Sequence, residues 1–108
     1  MADTSRSSGV LTASAVVASN PCRLKSIHFS VFAAGPDVIT IKVWDSKDAT
    51  TSGNTEIARF VVQGSAGYTN AEYDMHGVLA REGLYLQIAN SAGSPDPNTS
   101  HAVSIEFN

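Results

Sequence analysis

Apolar residues arrive along this chain in short alternating runs, and turn-forming residues separate the runs. Over residues 38–45, Ile39, Ile41 and Val43 alternate with Thr40, Lys42 and Trp44. That period of two predicts a strand with one apolar and one mixed face. Leu84, Leu86 and Ile88 alternate with Tyr85, Gln87 and Ala89, and residues 102–107 bring Val103, Ile105 and Phe107 into phase. Residues 57–63 do the same with Ala58, Phe60 and Val62. Residues 22–32 read as a longer strand in which Leu24 has one parity and Ile27, Phe29 and Val31 the other. This change of phase predicts either a bulge near Lys25-Ser26 or burial on both faces. Residues 10–17 and 68–75 complete the set, with His76-Gly77 ending the second of them and Val78-Leu79 leading on to Arg81-Glu82-Gly83.

Between the runs lie Asn20-Pro21, Gly35-Pro36-Asp37 and Gly64-Ser65-Ala66-Gly67, together with longer loops over 46–55 and 90–100. Proline lacks a donor and restricts its predecessor, and glycine admits the tight turns, so each cluster breaks a strand. No stretch shows helical periodicity of useful length. About seven short strands at regular spacing predict an all-β fold, an antiparallel two-sheet β-sandwich that is jelly-roll-like. The expected inward set is Ile39, Ile41, Val43, Phe60, Val62, Leu84, Leu86, Ile88, Val103, Ile105 and Phe107. The small, polar residues 1–8 read as a flexible arm, and residues 9–108 as one domain.

Composition narrows the function classes. A chain of 108 residues with 43% hydrophobic and only 16% charged residues is a folded domain with a surface of Ser, Thr, Asn, Gly and Ala. The net charge is −3 and the seven basic residues are scattered, so no footprint for a phosphate backbone is expected and nucleic acid is not a partner. No run approaches the roughly 18 apolar residues of a membrane span, and the start lacks the apolar stretch of a signal peptide. One cysteine, Cys22, excludes an internal disulfide and fits synthesis in a reducing cytoplasm.

Candidate chemistry is sparse. His28, His76 and His101 have no metal-like spacing between them, and no serine sits in a nucleophile-elbow motif. Cys22, at a strand start after proline, reads as a small buried hydrophobe more than as a nucleophile. Asp45, Asp48 and Asn54 offer oxygens of the kind calcium takes, but without the alternating acidic pattern of a calcium loop, and solvated loop residues are the stronger reading. No catalytic residue, metal or cofactor is expected. Trp44 shares parity with Thr40 and Lys42, away from the core set, so its ring is available for an interface or a sugar. Tyr68, Tyr73, Arg23 and His28 are the further interface candidates.

The segment Asn20-Pro21-Cys22-Arg23-Leu24-Lys25-Ser26-Ile27-His28-Phe29 resembles a group of small virion proteins of tailed, often marine, phages. The likeness continues through the strand ending Ile41-Lys42-Val43-Trp44-Asp45, a Ser/Thr/Gly loop, Gly77-Val78-Leu79 and Gly83-Leu84-Tyr85-Leu86. It implies a capsid decoration (cement) subunit or head fibre, located in the virion after synthesis in the bacterial host cytoplasm. It implies the major capsid protein or other virion proteins as partners, homo-oligomers with a trimer favoured, and no catalytic residues. A tail component or a carbohydrate-binding β-sandwich module is the alternative.

Overall fold

The computed structural model describes residues 5–33, 37–63, 68–90 and 99–108. Eight strands and no helix occur among them: β1 (Arg6–Ser7), β2 (Ala15–Ala18), β3 (Cys22–Phe32), β4 (Val38–Asp45), β5 (Thr55–Gln63), β6 (Thr69–Ala80), β7 (Leu84–Asn90) and β8 (Ser100–Phe107). They form two antiparallel sheets, with order β1-β8-β3-β6 in the first and β2-β7-β4-β5 in the second. The chain passes repeatedly between the sheets, and these two orders are those of a jelly roll. The turn residues 34–36 and 64–67 and most of the 90–100 loop lie outside the described residues.

The core is the interleaving of the two inner faces. Leu24, Ile27, Val31, Val103 and Ile105 come from the first sheet, and Ile39, Ile41, Val43, Leu84 and Leu86 from the second, all fully buried. Burying each such side chain contributes about 1.5–3 kcal/mol. Phe60 and Ile88, expected inside, are only half-buried. Phe60 sits on β5, an edge strand, where the sandwich closes with a single neighbour on one side. There its ring stacks on Tyr73 at 4.8 Å, and Phe29 lies 5.4 Å from it. Tyr73, one of the interface candidates, closes this seam with its ring while remaining 45% exposed. Tyr73→Leu should cost about 1 kcal/mol beyond its change in buried area, from the lost aromatic contacts, as read by urea unfolding.

Three irregularities shape the surfaces. Against β8, Leu24 faces Phe107 and Ser26 faces Glu106, which leaves Lys25 as a one-residue bulge in β3. That bulge is what reverses the parity between Leu24 and Ile27. Opposite it, β6 takes up extra residues between Asp74 and Val78, with His76 and Gly77 both left-handed at φ of 56° and 72°. His76-Gly77 therefore bulges one long strand where a strand end was expected. Pairing resumes at Val78 against Leu24, and the Arg23 guanidinium holds the bulge by donating to the Gly77 carbonyl at 3.1 Å. In β5, Ile57 is the extra residue between Glu56 and Ala58. It brings Glu56 and Arg59 to one face, where they form a bidentate pair at 2.7 and 2.8 Å.

The N-terminal region differs from its sequence reading. Arg6–Ser7, placed in a flexible arm, pair with Phe107 and Glu106 as β1. The Ser8 N–H donates to the Ile105 carbonyl, and the Ser8 hydroxyl accepts the Ile105 N–H. Backbone pairing with β8, not apolar patterning, fixes this polar segment. The strand expected over 10–17 is split: Leu11 bridges to Val103 in the first sheet, whereas β2 joins the second. The chain changes sheets between them.

Candidate functional site

The register of β8, β3 and β6 builds the outer face of the first sheet row by row. Ser104, His28 and Glu72 form one row, and Glu106, Ser26 and Asp74 the next toward the Lys25 bulge. In the other direction come Ala102, Ser30 and Asn70, then Ser100 and Phe32, whose ring meets Tyr68 at 5.3 Å. The face thus grades from aromatic, through small and neutral, to acidic. Small side chains in the middle leave a furrow of about 460 Å³, floored by Ser30, Ala102 and Ser104. Val10, 74% exposed, rises along one side of it, and Asn70 and Glu72 along the other. A second hollow of about 380 Å³ continues past His28 among Ser26, Asp74 and Glu106.

His28 lies at the junction. Its Nδ1 is 3.5 Å from Glu72 and its Nε2 is 3.2 Å from the Ser26 hydroxyl. A serine, a histidine and a carboxylate in that order are the parts of an acyl-transfer relay. Here the Ser26 hydroxyl also lies 3.3 Å from the Glu106 carboxylate, which competes with the imidazole for its one proton. A second carboxylate beside the oxygen also opposes the charge a nucleophile develops. The arrangement suits polar recognition better than covalent chemistry.

The other candidates are dispersed. Trp44 stands on the outer face of the second sheet, its indole N–H donating to Gln87 at 3.0 Å and Lys42 lying 6.0 Å from its ring. Tyr68 is 64% exposed beside Phe32, at the aromatic end of that sheet face. Arg23 supports the β6 bulge. Of the five, the fold brings His28, Tyr68 and, past the Lys25 bulge, Arg23 to the outer face of the first sheet. Ser26, Glu72, Glu106 and Val10 belong to that surface too, and sequence reasoning missed them. Alternation assigned His28 a face but could not say which strands lie beside it.

The 46–54 loop is held together from within. The buried Ser46 hydroxyl lies 2.8 Å from both the Asp48 and the Thr50 carbonyls and shares its one proton between them, and the Asn54 amide donates to the same Thr50 carbonyl. The Thr50 N–H bonded to Asp48 lowers the Asp48 pKa. Asp45 points elsewhere, accepting the N–H groups of Arg81 at 3.0 Å and Glu82 at 2.8 Å in the β6–β7 turn. The three oxygen-bearing residues considered for calcium thus serve two separate structural tasks. Among the described residues, no three His, Cys, Asp or Glu side chains gather as a metal site. Burial pushes the Cys22 thiol up, and the Asp45 carboxylate adds to that, which disfavours the reactive thiolate.

Comparison of the chain with protein-family models, curated proteins and solved structures gave no match.

Proposed function

We propose that this chain is a non-enzymatic structural subunit of a virion, a capsid decoration protein that stabilises the head by packing against neighbouring capsid subunits. The observation that carries the reading is the open outer face of the first sheet, small-residued in its middle and bordered by exposed Val10 and Tyr68. A sheet face without large side chains lets another protein surface approach the backbone closely, and exposed apolar and tyrosine side chains are typical anchors of such contacts. The jelly roll suits the role, since viral capsid domains are among those built on it. The low charge of the chain and the phage-like motifs between Asn20 and Leu86 point the same way.

The mechanism is linkage. A subunit that binds the assembled shell and not its unfolded protein stabilises it by about 2.7 kcal/mol at a hundred times its dissociation constant. Calorimetry of expanded capsids from the same phage tests this. Added chain should raise the capsid unfolding temperature in a saturable way. An unchanged midpoint, together with a Trp44-dependent signal on a glycan array, would favour a carbohydrate-binding fibre module instead.

A further inference from the structure

We infer that the free edge of β5 is a self-pairing surface, where a second copy of this chain adds its own β5 antiparallel across a two-fold axis. The inference goes beyond the capsid reading and does not depend on it. The sandwich has four edge strands among the described residues, β1 and β6 in the first sheet and β2 and β5 in the second. An open edge offers unpaired N–H and C=O groups to another strand, so edges in stable monomers are short, bulged or charged. Three of the four follow that rule. β1 has two residues, and β2 has four with a register shift between Val16 and Ala18. β6 is long, but left-handed His76 and Gly77 interrupt it, and Glu72 and Asp74 are exposed along it.

β5 is the exception. Its bulge ends at Ile57, and from Ala58 to Gln63 it pairs residue for residue with Val43 to Val38 of β4. That stretch has no proline and no left-handed residue. Its one charged side chain, Arg59, is held in a bidentate pair by Glu56 of the same strand. Val61 is 57% exposed on the outer face, and Tyr73, stacked on Phe60 beside this edge, is 45% exposed. Apolar surface is therefore left for a partner strand to cover. The order of side chains says which strand. Arg59-Phe60-Val61-Val62-Gln63 runs polar, three apolar, polar, and has the same polarity read from either end. Antiparallel pairing about Val61 sets Val61 against Val61, Phe60 against Val62 and Arg59 against Gln63, so like meets like on both faces. Centring on Arg59 would oppose like charges. Centring on Phe60 would set Arg59 against Val61 and draw the Ile57 bulge into the ladder. The product is a continuous sheet with four strands from each copy. A two-fold contact closes at two copies, so dimers are expected where the phage resemblance implies trimers.

Sedimentation equilibrium of the full chain tests this. A short strand pairing buries less than the roughly 1,200 Å² of a standard interface, so a dissociation constant on the order of 100 µM is expected. The weight-average mass should rise from 11.3 kDa toward twice that value between about 10 µM and about 1 mM. Val61→Lys sets like charges against each other across the axis. It should weaken association about tenfold or more while leaving the thermal midpoint of the dilute chain in place. Disulfide capture in a Cys22→Ser background reads the register separately. Val61→Cys should cross-link to itself on mild oxidation, whereas Arg59→Cys should cross-link only when mixed with Gln63→Cys. A mass of 11.3 kDa throughout, a limiting trimer, association unchanged by Val61→Lys, or cross-linking indifferent to position would each overturn the inference. If Val61→Lys fails to fold, the cysteine variants still decide the matter. A chain that dimerises through β5 but ignores capsids keeps this edge and loses the cement role, and a monomer that stabilises capsids does the reverse.

Discussion

Replacing Gly83 with alanine should destabilise the domain by about 3 kcal/mol or more, at or above the upper end for overpacking. A Cβ built at Gly83 lies 2.2 Å from the Ala18 carbonyl oxygen and 2.9 Å from that of Ser46. Both obstacles are backbone, one at the end of β2 and the other just past the end of β4, so no rotamer change relieves them. The β6–β7 turn must therefore shift, and with it the start of β7, whose Leu84, Tyr85 and Leu86 are all buried. At about 4–8 °C per kcal/mol for a domain near 100 residues, the thermal midpoint should fall by about 12–24 °C. Gly53→Ala is the control. Its φ of 80° is left-handed but the space around it is open, so only the conformational penalty of about 1–2 kcal/mol applies. A melt in which Gly83→Ala costs no more than Gly53→Ala would refute this close approach of three backbone segments.

The second large effect is expected at Asp45, in the same corner. Burial raises the pKa of its carboxyl, but the N–H groups of Glu82, Arg81 and Gly83 together outweigh burial and hold it below the ordinary aspartate range. Hydrogen bonds to a charged acceptor are worth about 1.5–3 kcal/mol, and Asp45→Ala should cost about that at neutral pH. A carboxyl depressed in the folded state gives stability that is fully present above its unfolded pKa of about 3.9. That stability is lost as pH falls through the folded value. The gap between wild type and Asp45→Ala in urea melts should thus be constant near neutrality and narrow below about pH 4. A gap independent of pH down to strongly acidic conditions would mean that the carboxylate charge does not hold the turn.

Gly83 and Asp45 also show where sequence reading stops. Arg81-Glu82-Gly83 is recognisable as a turn, and Asp45 as a strand end, yet their meeting joins positions 36 to 38 residues apart. Local pattern was sufficient where one face is buried and the strand is regular. β3 and β4 begin and end where alternation places them, and the Lys25 bulge is visible as a parity change. It failed where pairing replaces patterning. Polar Arg6–Ser7 become a strand only because β8 offers its edge, and β6 runs through His76-Gly77 because two left-handed residues absorb the surplus chain. Tyr85, assigned outward beside Gln87, has the outward parity but is buried, with Val16 and Trp44 as its register neighbours. The furrow was illegible for the same reason. Ser26, Glu72 and Glu106 become neighbours only through the register of three strands that are far apart in the chain.

Imaging of purified phage particles, with and without this protein, tests the central claim most directly. The proposed role predicts repeated two-sheet density on the capsid lattice, with the Ser30–Ala102–Ser104 face turned against a neighbouring subunit, and its loss from particles lacking the protein. Density confined to the tail, or heads of unchanged structure and stability without the chain, would contradict it.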